Sequence, residues 1–323
     1  MKTFPDLRLR RLRKSPELRK LLEETSIDRN KLVMPMFVDE NLKRQEEIST
    51  MRGIFRFHED GIVEKAKEYE GLGIRSILLF GVPKHKDSTG SGAWEENGIV
   101  QRTIKRIKEE TKLTVFADLC LCEYTNHGHC GLLRGQTIDN DSTLEIYGKI
   151  ARTYARAGVD GVAPSGMMDG QVSRIRKDLD LDGFADTLIM AYSAKFSSSM
   201  YAPFREAVFS TPSFGDRRTY QMPFTNTREA MREIEEDIEE GADIIMVKPA
   251  LFYLDVIKAA RQRFDHPLAA YSVSAEYSLI KNAADSGIVD LKATVEESTT
   301  AIFRAGADIV ISYFTEQIFK DGL

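Results

Sequence analysis

One short phrase occurs three times along the chain and limits the possible folds more than any other feature. The phrase is a glycine, an apolar residue and an aspartate, followed by an apolar run, and it begins at Gly158, Gly241 and Gly306. Glycine is suited to end a helix, because it adopts the left-handed conformation without a steric penalty. The apolar run that follows is typical of a strand covered on both faces, as in a parallel sheet. The phrase therefore predicts a repeated passage from a helix into a buried strand.

Strand-like and helix-like segments alternate along most of the chain. Apolar runs predict eight strands, at residues 32–38, 76–80, 114–121, 159–164, 188–194, 244–247, 268–273 and 308–313. Apolar residues at helical spacing predict helices between most of them, at residues 61–72, 99–110, 144–157, 227–240, 254–264, 275–285 and 295–305. Eight strands separated by helices favour an α/β fold of the (β/α)8 TIM-barrel type. An open doubly wound sheet is the main alternative, but no Gly-x-Gly-x-x-Gly motif follows a predicted strand.

Composition excludes several classes of protein. The net charge of −5 at pH 7 does not favour a nucleic-acid-binding protein. No apolar run approaches the roughly 20 residues that a membrane-spanning helix needs. The amino terminus also lacks the apolar region of an export signal. We therefore expect a cytoplasmic protein that acts on a small molecule, with no nucleic-acid or membrane partner.

The first 30 residues differ in composition from the remainder. They contain few large apolar residues and seven closely spaced basic ones, Arg8, Arg10, Arg11, Arg13, Lys14, Arg19 and Lys20. Such a segment has little means of building a core, so we expect residues 31–323 to form the catalytic barrel. Three interpretations of residues 1–30 stay open: a solvated tail, an arm that packs on an acidic surface of a neighbouring subunit, and a nucleic-acid-binding segment, which the acidic remainder of the chain disfavours.

Two lysines lie at the ends of predicted strands. Lys248 is followed by Pro249, which cannot donate to a strand ladder and so ends the strand. Lys195 likewise follows an apolar run. Burial favours the neutral amine, and repulsion between neighbouring ammonium groups lowers the pKa of at least one of them. A neutral amine can form a Schiff base with a carbonyl compound. The alternatives are lysines that extend into solvent at strand ends and one functional lysine beside a bystander.

All three cysteines lie in one short segment. Cys120 and Cys122 alternate along a predicted strand and so can point to the same side, and Cys130 follows after a turn. Three thiolates suit Zn²⁺ and leave one coordination position open for water or substrate. His127 and His129 could supply a fourth ligand or hydrogen bonds around the ligands. A closed structural zinc site and three buried free thiols are the alternatives.

Residues 196–226 form a long segment rich in serine, proline, phenylalanine and arginine. A loop of this length in a compact domain predicts a lid over an active site. It contains Arg205 and the pair Arg217 and Arg218, with Gln221 just beyond, and guanidinium groups match carboxylates. The alternative is a solvated basic loop. The same predicted rim of strand ends also carries Asp118, Ser165, Ser274 and Tyr313.

These residues resemble the porphobilinogen synthase family, also called delta-aminolevulinic acid dehydratase. The stretch Gly241-x-Asp243-x-x-Met-Val-Lys248-Pro-x-x-x-Tyr253 is similar to the family's active-site signature, and the resemblance extends over nearly the whole chain. The Cys-x-Cys and His-Gly-His-Cys block is similar to the zinc-dependent branch, whereas other branches carry acidic residues there. The resemblance implies a barrel with an amino-terminal arm, usually assembled as a homo-octamer.

The resemblance also implies a reaction and the residues that carry it out. Two 5-aminolevulinate molecules condense to porphobilinogen, with loss of two waters, on the pathway to tetrapyrroles such as heme. Lys248 would hold the first substrate as a Schiff base, and Lys195 would hold the second. A zinc ion that contacts the second substrate would be bound by Cys120, Cys122 and Cys130.

The resemblance also implies which residues bind the substrate carboxylates. Arg205 and Arg217 would hold the carboxylate of the second substrate, with Gln221 nearby. Ser274 and Tyr313 would hold the carboxylate of the first.

Many bacterial members of this family carry an allosteric magnesium ion, and the matching position is Glu233, although a solvated acidic helix face is an alternative there. Asp118 and Ser165 lie on the same rim and could support proton transfer.

Two other functions compete with porphobilinogen synthesis as explanations of these residues. They are a lysine-dependent aldolase and a zinc-stabilised assembly module.

Overall fold

A closed parallel barrel forms the centre of the molecule in the computed structural model, which describes residues 7–323. The strands pair in chain order, and the last pairs with the first through Leu32 and Val310. Closure confirms the predicted TIM barrel and excludes the open doubly wound sheet. The eight barrel strands, numbered here from first to eighth, are Leu32–Asp39, Ser76–Val82, Thr114–Leu119, Gly161–Pro164, Leu188–Lys195, Ile244–Lys248, Leu268–Ser272 and Ile309–Ser312.

Helices surround the barrel and connect its strands. Those of the described chain are α1 to α11 in order: Pro16–Leu21, Glu59–Leu72, Ile99–Glu110, Asn140–Arg156, Gln171–Leu181, Ala202–Ala207, Thr227–Glu239, Leu254–Arg263, Ser274–Asp285, Leu291–Ala305 and Thr315–Asp321. Helix α5 was not predicted, although Val172, Ile175 and Leu179 are buried at helical spacing. None of the described helices combines the length and the apolar character that crossing a bilayer requires.

Several short strands and 3₁₀ turns lie outside the eight barrel strands and the helices. The first strand also pairs with Phe55–Phe57, which in turn pairs antiparallel with Glu46–Glu47. The segments Leu133–Arg134 and Thr137–Ile138 form a separate hairpin. Single turns of 3₁₀ helix occur at Leu9–Arg13, Arg29–Lys31, Ser91–Trp94, Ser199–Tyr201 and Leu251–Tyr253.

The repeated phrase has a structural role at the amino end of the barrel. Its three glycines have left-handed φ angles of 92°, 102° and 121°, as their position after a helix predicts. Each aspartate carboxylate accepts a hydrogen bond from a backbone amide near the start of the preceding strand. The pairs are Asp160 with Val115 at 2.7 Å, Asp243 with Ile189 at 2.7 Å, and Asp308 with Leu268 at 2.9 Å. The phrase therefore holds neighbouring strands together on the face opposite the candidate site.

We expect the substitution Asp243→Ala to destabilise the barrel without altering its chemistry. Removing the carboxylate leaves the Ile189 amide without its acceptor, which costs about 1–2 kcal/mol. The midpoint of urea unfolding measures this change. Asp265→Ala, at an exposed position, is the matched control. Equal midpoints for the two variants would contradict the assigned role.

The predicted arm and lid both contain structure. Residues 1–6 of the arm lie outside the described residues. In the described part, the turn Leu9–Arg13 and helix α1 bury no side chain. The lid segment 196–226 is less irregular than its sequence indicates, because it contains the turn Ser199–Tyr201 and helix α6.

Candidate active site

Lys195 and Lys248 lie side by side at the carboxyl end of the barrel. Each is the last residue of its strand, and the two are direct partners in the pairing of the fifth and sixth strands. Both are 5% exposed, so neither extends into solvent. The Lys195 amine donates a hydrogen bond to the Ser165 carbonyl at the end of the fourth strand. Register and burial together bring the two amines into one site.

A β-bulge lets the fifth strand contribute two side chains to this site. Ala191 pairs with Ile245 and Ala194 pairs with Val247, so three steps along the fifth strand match two along the sixth. The extra residue changes the alternation of side chains. As a result Tyr192 and Lys195, which are three apart, both face the site: the Lys195 Nζ lies 5.5 Å from the Tyr192 ring centre.

Aromatic rings enclose the Lys248 amine. Its Nζ lies 4.1 Å from the ring centre of Tyr271, 4.9 Å from Tyr192, and 5.3 Å from both Tyr201 and Phe204. Burial and the charge of Lys195 together lower the pKa of Lys248 to about 7, against the opposing effect of nearby acidic groups. A substantial fraction of this amine is therefore neutral near pH 7, as a nucleophile must be.

A buried carboxyl group accompanies the lysines. Asp118, on the third strand, accepts a hydrogen bond of 3.1 Å from the Ser165 hydroxyl. Its second oxygen, Oδ1, has no hydrogen-bond partner among the described residues. Burial and the neighbouring Glu123 carboxylate raise the pKa of Asp118 to about 7, although both lysines oppose the shift. Asp118 and Ser165 thus lie together beside the amines, where a proton can be exchanged.

The three cysteines converge, although not in the predicted manner. The third strand ends at Leu119, so Cys120 and Cys122 do not alternate along it. A turn closed by amides that donate to the Leu121 carbonyl places their sulfurs 3.4 Å apart instead. The sulfurs of Cys120, Cys122 and Cys130 all lie within 4.8 Å of one another and are buried. This is a donor set that could hold a metal ion.

The electrostatics of the cluster favour one thiolate. Hydrogen bonds from the Cys120 and Cys122 thiols lower the pKa of Cys130, and the Arg217 charge adds to this effect. Burial raises the pKa of Cys120. The Tyr147 hydroxyl donates to the Cys130 carbonyl at 2.6 Å and fixes its position. Three buried sulfurs, one of which ionises more readily than the others, are suited to a soft cation.

The two histidines do not join the sulfurs. Within the described chain, the group of potential ligand atoms contains only the three cysteines. His127 Nδ1 accepts a hydrogen bond from the His129 amide, and the His129 ring nitrogens lie 3.1 Å from the Tyr220 hydroxyl and the Phe214 carbonyl. The histidines therefore brace the cysteine loop and the lid rather than supplying a fourth ligand in this arrangement.

Two guanidinium groups extend from the lid and form no ion pair with a carboxylate of residues 7–323. Arg217 is 4% exposed and donates to the carbonyls of Gly128 at 2.8 Å and Ser210 at 2.6 Å. Arg205, on helix α6, is half-buried, and burial and the charge of Arg217 lower its pKa. The Nε atoms of both arginines lack hydrogen-bond partners among the described residues, as do both amide atoms of the buried Gln221. Unpaired donors of this kind form a site for an anion such as a carboxylate.

Ser274 and Tyr313 lie on the Lys248 side of the site. Ser274 begins helix α9, where its hydroxyl donates to the Met200 carbonyl at 3.2 Å and accepts from the Phe204 amide at 3.1 Å. The Tyr313 hydroxyl lies 3.1 Å from that of Tyr271, the ring nearest to Lys248. Ser274 thus contacts the lid directly, and Tyr313 contacts the aromatic enclosure.

Glu233 lies apart from the lysine and cysteine groups. It belongs to helix α7 and lines a separate cavity of about 620 Å³, together with Asp169, Glu229, Glu236 and Asp237. Burial and the charges of its acidic neighbours raise the pKa of Glu233. Glu233 also lines a neighbouring cavity with Gln221 and Tyr220 of the lid segment, so the acidic cavity adjoins the lid.

The aromatic enclosure was not predicted from sequence. Tyr201 and Phe204 belong to the predicted lid, so their aromatic character was the available signal. Tyr192 and Tyr271 lie inside strands, where an aromatic residue is ordinarily taken as core. The bulge that turns Tyr192 toward the amines has no sequence signature in this chain.

Known proteins resemble this chain over almost its full length. A sequence profile of the family described as Delta-aminolevulinic acid dehydratase matches residues 6–321. The protein of that name from Methanothermobacter thermautotrophicus is 53% identical over 317 residues, which cover 98% of this chain and 97% of the relative. The Escherichia coli protein of the same name is 49% identical over 309 residues, covering 95% of each chain.

A solved structure shares the same fold. The delta-aminolevulinic acid dehydratase (porphobilinogen synthase) of Toxoplasma gondii, in complex with the reaction product porphobilinogen, matches with a TM-score of 0.95 and 39% identity. The match covers 98% of this chain and 91% of that one. Likeness of this extent in sequence and structure, around a rim of paired lysines and clustered cysteines, shows that the chain is an enzyme of the delta-aminolevulinic acid dehydratase family.

Proposed function

We propose that this enzyme condenses two 5-aminolevulinate molecules to porphobilinogen, releasing two waters, through Schiff bases on Lys248 and Lys195. The observation that carries the proposal is the pairing of two buried lysines in direct register at the ends of neighbouring strands. Each substrate is a keto acid with an amine, so it offers a ketone for an amine nucleophile and a carboxylate for a cationic clamp.

Lys248 would activate the first substrate. Its neutral amine adds to the ketone carbon, and loss of the ketone oxygen as water leaves an iminium ion. The iminium is a stronger electrophile than the ketone, and it makes the adjacent C–H bonds more acidic. The enclosure by aromatic rings excludes water from this step.

Lys195 would form a Schiff base with the second substrate in the same way. Its amine is held by the Ser165 carbonyl, and the Ser165 hydroxyl donates to the Asp118 carboxylate. These contacts hold the second amine close to a carboxyl group that can accept and return a proton. Asp118 and Ser165 are supported as the proton-transfer pair by their hydrogen bond to each other and by the contact of Ser165 with the Lys195 amine.

The three cysteines would hold a zinc ion. Three buried sulfurs within 4.8 Å of one another fit the donor set that zinc prefers, and three protein ligands leave one position free. Bound there, zinc would supply a Lewis-acidic charge beside the second substrate. The Arg217 side chain links the cysteine loop to the lid through the Gly128 and Ser210 carbonyls.

The substrate carboxylates would have two sets of partners. Arg205, Arg217 and Gln221 would hold the carboxylate of the second substrate, which their unpaired buried donors support. Ser274 and Tyr313 would hold that of the first, which their position on the Lys248 side supports. Two such clamps would orient the substrates for bond formation between them.

Assembly and regulation form the remaining part of the proposal. Residues 1–30 would act as an arm between subunits of an octamer, and the arm leaves Leu7, Leu9, Leu12 and Leu21 exposed. Glu233 would contribute to an allosteric magnesium site, in keeping with the acidic cavity that it lines.

The two alternative functions account for fewer of these residues. An aldolase would need neither the second lysine nor the thiols, and an assembly module would need no buried amines.

Borohydride reduction in the presence of 5-aminolevulinate tests the proposal directly. We expect mass spectrometry of the digested protein to locate reduced adducts on Lys248 and Lys195, and porphobilinogen to form when borohydride is omitted. Trapping with other carbonyl compounds but not with 5-aminolevulinate would favour an aldolase. The absence of any adduct would favour the assembly module.

The rate of trapping at Lys248 should rise with pH. Because the pKa of Lys248 is lowered to about 7, the neutral amine is scarce below that pH and dominant above it. The trapping rate should therefore increase about tenfold per pH unit below about 7 and level off above about 8. Quenched-flow trapping followed by peptide mass spectrometry measures this profile. A rate that continues to rise up to pH 10 would show an amine with an ordinary lysine pKa.

A further inference from the structure

One aromatic ring is shared by the two amines. The Tyr192 ring centre lies 4.9 Å from the Lys248 Nζ and 5.5 Å from the Lys195 Nζ. Both distances fall within the roughly 6 Å at which a ring face attracts a cation. Tyr271, Tyr201 and Phe204 also approach Lys248, but within the described chain only the Tyr192 ring lies this close to both nitrogens.

The Tyr192 ring occupies a buried position among charged groups. The side chain is fully buried, and its hydroxyl lies near the Asp118 carboxyl group. The strand also departs from regular pairing here, because the bulge between Ala191 and Ala194 turns the ring toward the amines.

The proposed reaction creates positive charge at these two nitrogens. A neutral lysine amine, a ketone and one proton give a protonated iminium and one water, so the nitrogen that reacts changes from neutral to cationic. The site is buried, and a cation there has lost most of its hydration. Asp118 and Glu123 are buried carboxyl groups near these nitrogens, so a ring face would add to their stabilisation of a cation rather than replace it.

We propose that Tyr192 is a further catalytic residue whose ring face stabilises the positive charge as Lys248 and Lys195 become iminium ions. The inference rests on the proposed Schiff-base function. The ring attracts the cationic iminium more strongly than the neutral amine, so it lowers the barrier rather than merely binding the substrate. Its position beside both nitrogens allows one side chain to assist both halves of the condensation.

Three variants test this role. Tyr192→Phe keeps the ring and removes the hydroxyl, and Tyr192→Leu removes the ring. Tyr69→Leu removes a buried tyrosine ring from helix α2, in the outer layer, and serves as the matched control. We expect Tyr192→Leu to lower both kcat and the rate of borohydride trapping roughly tenfold to thirtyfold. We expect Tyr192→Phe to stay within about threefold of the unsubstituted enzyme, because it retains the ring.

The measurements are the initial rate of porphobilinogen formation and the adduct yield at each lysine. A merely structural role would make Tyr192→Leu and Tyr69→Leu lose activity in proportion to their loss of thermal stability. Equal kcat values for those two variants, or a Tyr192→Phe variant as impaired as Tyr192→Leu, would overturn the inference. Failure of the proposed function itself would look different, because the unsubstituted enzyme would then form neither adducts nor porphobilinogen.

Discussion

Replacing Lys248 with methionine should abolish porphobilinogen formation. Methionine retains the length and apolar stem of lysine but has no amine, so no Schiff base can form at this position. Loss of a covalent nucleophile typically lowers kcat by on the order of 10⁴-fold or more. Because the amine is buried in an aromatic enclosure, the fold should tolerate the apolar replacement. The measurement is kcat, with borohydride trapping as a second readout.

Two further variants sharpen this experiment. Lys248→Arg keeps a positive charge but cannot act as a Schiff-base nucleophile, so we expect it to be as inactive as Lys248→Met. Lys258→Met changes an exposed lysine on helix α8 and should leave kcat unchanged. Retention of more than a tenth of the activity by Lys248→Met would remove this residue from the proposed mechanism. It would transfer the nucleophilic role to Lys195 alone.

Cys130→Ser should produce the second largest loss. Cys130 is the member of the cluster whose pKa is lowered, by hydrogen bonds from the other two thiols and by the Arg217 charge. A serine hydroxyl does not ionise there and binds a soft cation weakly, so we expect bound zinc to fall below about one ion per ten chains. We expect activity to fall by at least about 100-fold.

Metal analysis and melting temperature complete this test. A chelator should inactivate the unsubstituted enzyme to the same extent, and added zinc should restore that enzyme but not the variant. The melting temperature should change by only a few degrees, since the barrel core is built from strands that do not depend on the cysteine loop. Collapse of the fold on chelation would instead make the cysteines a structural zinc site.

Much of the architecture could be predicted from sequence because its signals are local. Apolar runs marked all eight barrel strands, with boundaries within about two residues of those observed. The paired lysines and the clustered cysteines were recognised because each lies at or near a strand end, and the ends of parallel strands in a barrel meet on one face. Helix α5 was missed, although the buried Val172, Ile175 and Leu179 had helical spacing.

Other features depended on contacts between distant segments. The sequence favoured an alternating strand for Cys120 and Cys122, whereas the strand stops at Leu119 and a turn brings the sulfurs together. The histidines of the same segment were candidate ligands, but the lid residues Phe214 and Tyr220 engage the His129 ring instead.

The amino-acid sequence by itself determined that this chain is a barrel with reactive side chains along one rim, because hydrophobic period and strand termination are encoded by neighbouring residues. The tertiary structure alone decided which of those side chains meet. The direct pairing of Lys195 with Lys248 and the bulge that turns Tyr192 toward both amines arise from the register between two strands, which are separated by about 50 residues in the chain. Register depends on how whole strands pack and hydrogen-bond, so no local pattern could specify it.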